Sequence, residues 1–275
     1  MIDAHLHVWD HRRSGYGWLD QAPELLRRDH LPSEALDMLA KHGFARAVLV
    51  QADETLTETE YLLELVATEP RFAGAVVYLP LEAPDTVAEH LTSPAAGVVG
   101  VRNLTHDRPD PDWILGAEQR RSIDLIGAAG LPLDVVATLP RHRENLLTLA
   151  RQHPSQTFVL DHLGTPALDG GDAADLWREQ LGEIASCPNT VAKVSGIYAS
   201  GGPASADQMR AVLGTAVELF GPDRLMVGTD WPVCTAFGGA EATLAVLLSA
   251  VGELEPDQQT ALRTGTAARV YGVPT

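Results

Sequence analysis

The chain has 275 residues, 45% of them hydrophobic, and its 37 acidic and 20 basic side chains give a formal charge of −17 at pH 7. This charge argues against nucleic acids and anionic membrane surfaces as partners, because their phosphates would be repelled. We therefore expect small-molecule partners. The length of the chain suits either two ordinary domains or one α/β barrel.

Targeting and redox signals are weak. No apolar run approaches the ~18 residues of a membrane-spanning helix, and the chain opens with strand pattern instead of a basic and apolar leader. Cys187 and Cys234 form neither a C-x-x-C motif nor a dense disulfide pattern. The sequence thus predicts a cytoplasmic protein with free thiols, and a homo-oligomer is compatible with it.

The first strand is predicted at Ile2 to Trp9, where Ile, Ala, Leu and Val alternate with Asp and His. A period of two places Asp3, His5 and His7 on one face of this strand. Buried imidazole nitrogens need polar partners, which a metal ion, a carboxylate or a substrate could supply. Considered alone, the pattern fits a pair of satisfied core histidines equally well.

Strands and helices alternate after an irregular segment from Trp9 to Pro32. Ser33 is predicted to cap the first helix, and a capping box of Thr57 and Glu60 to open the second, which Pro70 closes. The first helix is predicted at 34–42. The other predicted strands are 45–52, 72–79, 98–104, 132–137, 157–164, 190–196 and 225–232, and the helices after the second are 85–91, 114–129, 141–153, 176–186, 206–220, 241–251 and 257–271. Eight strands in unbroken alternation with helices indicate a single (β/α)8 TIM barrel over residues 1–275.

The connections between these elements are unequal in length. Short turns with Gly or Pro lead from helices into strands, whereas longer irregular segments follow strands one, four, six, seven and eight. In a barrel such segments build the site at the carboxyl ends of the strands. An open doubly wound sheet is the alternative, and the lack of a Gly-rich phosphate loop after the first strand argues against it.

Four polar residues are predicted to meet at that end of the barrel. His5 and His7 lie on strand one, His162 on strand six and Asp230 on strand eight, and each would be costly to bury without a purpose. A carboxylate beside imidazoles can bind a divalent cation such as Zn²⁺, deprotonate a water molecule, or do both.

Further residues near the strand ends are candidates for substrate contact. Arg102 follows the pattern of strand four, and Lys193 is as compatible with a salt bridge inside the barrel as with the site. Indole and phenol rings suit the faces of sugars. The aromatic candidates for pocket walls are Trp9, Trp18, Trp113, Tyr198 and Trp231. His106 is a further candidate for substrate contact, although a solvated loop position is the preferred expectation.

Five segments carry a resemblance to a known family. They are residues 2–10, 159–164, 193–196, 220–226 and 228–234. In this order they resemble the amidohydrolase superfamily, and within it the amidohydrolase-2 branch of sugar-lactone and 2-pyrone-4,6-dicarboxylate lactone hydrolases. The likeness runs from residue 2 to about Gly272.

The resemblance implies specific roles. His5 and His7 match the H-x-H pair of the first strand, His162 the histidine of the sixth, and Asp230 the general base of the eighth. It implies either one divalent cation, Zn²⁺ first, on His5, His7 and Asp230 with or without His162, or no essential metal. Strand five has no histidine and strand four offers Arg102 instead of lysine, which argues against a binuclear centre.

We therefore expect a hydrolase that opens a small lactone. Asp230 would take a proton from water, and His162, Arg102 or a bound cation would stabilise the oxyanion. A metal-dependent decarboxylase or amide hydrolase of the same superfamily is the alternative enzyme, and a non-catalytic binding protein is the third reading. Few Arg and Lys residues follow the strands, which favours a neutral sugar-derived aldonolactone over a dicarboxylate.

Overall fold

A computed structural model describes residues 1–200 and 202–275. Over these residues, one sheet of eight parallel strands follows the order of the chain. The strands are β1 Ile2–Leu6, β2 Arg46–Val50, β3 Phe72–Val77, β4 Val98–Asn103, β5 Leu133–Val136, β6 Phe158–Asp161, β7 Thr190–Val194 and β8 Leu225–Val227. The sheet closes where Leu6 bridges Trp231 in parallel, and where the amide of His7 donates to the Trp231 carbonyl at 2.7 Å. The predicted (β/α)8 barrel is confirmed.

Helices separate the strands along the whole described chain. They are α1 Pro32–Lys41, α2 Leu56–Thr68, α3 Pro84–Thr92, α4 Ala117–Ala128, α5 Pro140–Gln152, α6 Gly171–Ala185, α7 Ala206–Phe220, α8 Ala240–Gly252, α9 Pro256–Thr260 and α10 Thr266–Tyr271. A π turn over Ala261–Gly265 joins α9 to α10, where the sequence predicted one helix. Among the described residues, no helix has the length and apolar character needed to cross a membrane.

Two predicted helix caps were wrong. Helix α2 is capped by Thr55, whose hydroxyl accepts the amide of Glu58 at 3.1 Å, two residues before the predicted Thr57. Helix α1 begins at Pro32, because a proline ring holds φ near the helical value and lacks the N–H that a first helical residue leaves unpaired. Ser33 therefore lies inside α1.

The buried side chains of each strand face alternately the surrounding helices and the barrel interior. Alternate residues such as Leu49, Ala75 and Leu160 join the large apolar core with the helices, and the residues between them face the barrel interior. Along β7 the interior face carries Val191 and then Lys193. The interior valines pack with the C-terminal segment in one cluster: Val48, Val50, Val76, Val159, Val191, Ala267, Tyr271 and Val273. Polar side chains occupy the layers above it.

The long segment after β1 contains two short 3-10 helices, Gly17–Gln21 and Glu24–Leu26. An aromatic cluster holds it in place. The indole of Trp9 donates to the carbonyl of Arg28 at 2.7 Å, and that of Trp18 donates to Ala52 at 2.7 Å. The segment thereby forms one wall of the opening at the carboxyl end of the barrel.

Candidate active site

His5, His7 and Asp230 meet at the carboxyl end of the barrel, as the parity of β1 predicted. The Nε2 atoms of the two histidines lie 3.0 Å apart. Asp230 Oδ1 lies 3.7 Å from Nε2 of His5 and 3.6 Å from Nε2 of His7. Gly228 makes room for this group, since a Cβ there would lie 2.6 Å from the Cβ of His5.

The hydrogen bonds behind the two histidines orient them toward a common point. His7 Nδ1 donates to the carbonyl of Val50 at 2.8 Å, so its Nε2 presents a lone pair. His5 Nδ1 lies 3.1 Å from the ammonium of Lys193 and 3.3 Å from Oδ1 of Asp161, so this side of the ring is held by both charged groups. At 3.0 Å the two Nε2 atoms repel each other unless a proton or a cation lies between them.

The three residues fit a single divalent cation. Zinc takes imidazole and carboxylate donors at about 2.0–2.2 Å in a tetrahedron, whose corners are then roughly 3.4 Å apart. The separations of 3.0, 3.6 and 3.7 Å among His5, His7 and Asp230 match three such corners. A second donor set joins His5 and His162 with Asp161, but Asp161 is already paired with cationic side chains.

The charge states of this group follow from burial and proximity. Burial lowers the pKa of His5 and of His7, so both rings are neutral near pH 7. Burial acts to raise the pKa of Asp230, but attraction to His162 and the contacts with His7 and His5 bring it below its ordinary value. Asp230 is therefore an ionised carboxylate.

The second oxygen of Asp230 contacts a tyrosine that the sequence suggested only as a pocket wall. Tyr198 donates its hydroxyl to Asp230 Oδ2 at 2.8 Å. Its ring stacks on Phe237, with centroids 4.1 Å apart and planes 5° from parallel. Because Oδ1 faces the histidines and Oδ2 faces Tyr198, both oxygens of Asp230 have fixed directions.

His162 lies beside this group on a strained turn. Its φ of 56° is in the left-handed region, which a residue with a Cβ adopts only where the surrounding structure requires it. The ring lies 4.6 Å from that of His5, and its Nδ1 shares a hydrogen bond of 2.9 Å with the hydroxyl of Ser195. Gly196 leaves the space for the ring, since a Cβ there would lie 2.4 Å from Nδ1.

A buried cluster of charged groups supports the site from below. Lys193 is fully buried, pairs with Asp134, lies 3.0 Å from Asp161 Oδ1 and contacts His5 Nδ1 at 3.1 Å. Arg102 lies 3.2 Å from Asp161 Oδ2. The prediction that Lys193 contacts substrate is wrong, because its ammonium group is enclosed by this cluster; the salt-bridge alternative is correct.

A cavity of about 800 Å³ opens above these residues. Of the predicted residues, those that line it are His7, Trp18, Arg102, His162, Tyr198 and Asp230. His5 lies directly below, fully buried. The lining also includes residues that the sequence did not assign to the site, namely Gln21, Ala22, Pro23, Leu26, Ala52, Leu104, Asp107, Val136, Thr138, Gly196, Val233 and Phe237.

Three tryptophans predicted as pocket walls lie outside the lining. Trp9 is fully buried and packs edge-on against Trp18, 5.4 Å between ring centroids. Trp113 lies under the guanidinium group of Arg108 at 4.1 Å, and Trp231 packs against His30. These rings hold the loops that form the walls. His106, for which a solvated position was preferred over substrate contact, lines the cavity.

The chain is similar to known proteins over nearly its whole length. The family model for amidohydrolases matches residues 2–273. The chain is 32% identical to an L-fucono-1,5-lactonase of Burkholderia multivorans, over 99% of this chain and 96% of the relative. It is 34% identical to an L-fucono-1,5-lactonase of Burkholderia ambifaria, over 99% and 95%. The crystal structure of an amidohydrolase from Burkholderia multivorans with bound zinc has a TM-score of 0.90 and 30% identity, covering 99% of both chains.

Proposed function

The chain belongs to the amidohydrolase family, as its motifs predicted, and we propose that it hydrolyses a small, neutral, sugar-derived lactone. Two relatives that share about a third of its residues over nearly their whole length are named L-fucono-1,5-lactonases. The cavity suits such a substrate, since polar side chains and the rings of Trp18, Tyr198 and Phe237 line it together.

The observation that carries this proposal is the environment of Asp230. Its ionised carboxylate lies in the cavity wall, with Oδ1 toward two neutral imidazoles and Oδ2 held by the Tyr198 hydroxyl. A carboxylate of fixed direction beside a substrate cavity is what an enzyme needs to orient a water molecule and accept its proton.

In the proposed reaction, a water oxygen held by Asp230 attacks the ring carbonyl carbon, and Asp230 takes the proton that is released. The tetrahedral adduct then expels the ring oxygen, and the C–O bond of the ring breaks. Asp230 returns the proton to the departing alkoxide. The product is an open-chain hydroxy acid, so the carboxylate is regenerated in each turnover.

The developing oxyanion needs donors on the other side of the carbonyl. In our proposal Ser195 donates its hydroxyl to His162 Nδ1, which leaves the Nε2 hydrogen of His162 to point at the substrate. Arg102 also lines the cavity, and its guanidinium contributes positive charge there. These two groups complement the carboxylate of Asp230.

His5, His7 and Asp230 would hold a divalent cation, with zinc the first candidate because a similar structure contains it. When bound, such a cation supplies Lewis-acid polarisation of the carbonyl and positive charge for the oxyanion. The carbonyl of Val50 holds the ring of His7 in the orientation that this requires, and Lys193 and Asp161 contact the ring of His5.

The proposed function is tested by a pH-stat screen of aldonolactones, dicarboxylic lactones and simple amides, with and without chelator. We expect acid release from aldonolactones. Hydrolysis of amides with no lactone turned over would overturn the proposal in favour of an amide hydrolase. Decarboxylation of aromatic acids without lactone hydrolysis would likewise point to the other enzyme class of the superfamily.

The cation site makes a prediction that does not depend on activity. Equilibrium dialysis of chelator-treated protein against zinc is expected to give one bound ion per chain. The His7→Gln variant should lose this binding, because one of three donors is removed. His90→Gln, in an exposed helical position, is the matched control. Equal zinc binding by His7→Gln and wild type would contradict the site.

The fit between Gly196 and His162 makes a second prediction. In Gly196→Ala the new methyl group must displace the imidazole, since it would lie 2.4 Å from Nδ1. We expect kcat for lactone hydrolysis to fall by about 10²-fold, the effect of misplacing a catalytic group by roughly 1 Å. Gly214→Ala, where nothing lies within 4 Å of the new atom, is the control. An active Gly196→Ala enzyme would remove His162 from the proposed role.

A further inference from the structure

Three charged residues line the cavity among the residues that the structure describes, Arg102, Asp107 and Asp230. The proposed reaction uses Asp230 and Arg102. Asp107 follows β4 in the short helical turn Thr105–Asp107, and its side chain is 51% exposed, whereas that of Asp230 is 6% exposed. Asp107 is therefore the more exposed of the two carboxylates in the cavity lining.

Within residues 1–200 and 202–275, no Lys or Arg side chain pairs with Asp107. Its ionic contact is with Nε2 of His106 at 3.3 Å. Burial lowers the pKa of His106, so this ring is neutral near pH 7 and does not neutralise Asp107. The guanidinium of Arg102 is 3.2 Å from Asp161 and donates to the carbonyl of Gln51, so its contacts are with these groups and not with Asp107.

The turn that carries Asp107 is anchored at several points. The amide of Leu104 donates to Glu54 at 3.0 Å, and Arg108 donates to both oxygens of Glu54 at 2.8 and 2.7 Å. The hydroxyl of Thr105 donates to the carbonyl of Val136 at 2.6 Å. Asp107 is therefore presented to the cavity by a built loop and not by a free surface segment.

We propose that Asp107 is the specificity-determining residue that selects neutral, hydroxylated lactones and rejects anionic ones. Its carboxylate accepts hydrogen bonds from the hydroxyl groups of a neutral sugar lactone. A carboxylate substituent on the substrate at the same place meets a like charge, which disfavours binding and catalysis. This inference rests on the proposed lactone hydrolysis and names the group that would set its substrate class.

A matched pair of substrates tests the proposal directly. D-Glucono-1,4-lactone and D-glucaro-1,4-lactone differ by a hydroxymethyl group and a carboxylate at the end of the chain. We expect Asp107→Asn to raise the ratio of kcat/KM for the anionic lactone to that for the neutral lactone by about tenfold, since the charge is removed and the shape is kept. Asp110→Asn, an exposed change on the same loop outside the cavity lining, should leave the ratio unchanged.

A second variant tests the hydrogen-bonding part. Asp107→Leu removes both acceptors, so kcat/KM for D-glucono-1,4-lactone should fall at least about tenfold relative to that for unsubstituted δ-valerolactone. Circular dichroism establishes that each variant is folded. An active wild type whose anionic-to-neutral ratio is the same in Asp107→Asn would overturn this inference alone. A wild type inactive on every lactone would refute the proposed function and this inference with it.

Discussion

Replacing Asp230 with asparagine is expected to lower kcat for lactone hydrolysis by about 10²- to 10⁴-fold, the usual contribution of a general base. Asparagine keeps the shape of the side chain, and its amide oxygen can still accept the hydroxyl of Tyr198. The protein should therefore stay folded while the proton acceptor is lost. The measurement is kcat by pH-stat, with thermal unfolding as the test of integrity. A variant that keeps more than a tenth of wild-type kcat would exclude Asp230 as the base.

The matched control is Asp175→Asn, which makes the same chemical change at an exposed position on α6. The pH dependence gives an independent check. Histidines around Asp230 outweigh its burial and lower its pKa, so the carboxylate is ionised throughout the range from pH 5 to 8. Because the base is active in its ionised form, kcat should not fall between pH 8 and pH 5 through protonation of Asp230.

Replacing Lys193 with methionine is expected to lower the free energy of unfolding by about 3–5 kcal/mol. Methionine is similar in length but uncharged, so Asp134 and Asp161 would share the barrel interior without the cation between them. Denaturant unfolding followed by circular dichroism measures the loss. A variant as stable as wild type would contradict this prediction, and would show that water or protonation replaces the lysine as the partner of Asp134 and Asp161.

Two further variants interpret that result. The double variant Lys193→Met with Asp134→Leu should be less destabilised than Lys193→Met alone, since Asp161 keeps Arg102 as its partner. Lys41→Met breaks the exposed pair with Glu241 and is expected to leave the unfolding midpoint unchanged, because solvent screens surface pairs. A loss in Lys41→Met equal to that in Lys193→Met would show that burial is not the cause.

The alternation of strands and helices could be predicted from the sequence because each element buries one face. Apolar residues recur every second position in strands and every three or four in helices, and this periodicity is local. The predicted helix boundaries were less exact where a capping residue sets the first residue of the helix. Thr55 and Thr57 are chemically equivalent caps, and only the packing of α2 selects Thr55.

The buried ion cluster was only partly foreseen. Lys193 and Asp134 each interrupt an otherwise apolar strand, which is a signal that a buried charge needs a partner. Which charges pair depends on the register between strands far apart in the chain. Tyr198 was predicted only as an aromatic residue, because its hydrogen bond to Asp230 joins residues 32 positions apart in the chain.

The barrel, the family and the convergence of His5, His7, His162 and Asp230 could be predicted from the sequence alone. Strand parity and chain order can be read from the chain, and in a closed parallel sheet they decide which side chains meet at the carboxyl ends of the strands. Only the tertiary structure decided which neighbours complete the site. It enclosed Lys193 in ion pairs and brought Asp107 into the cavity wall. Contacts between side chains on different strands depend on register and packing. These contacts cannot be predicted from the periodicity of residues along the chain.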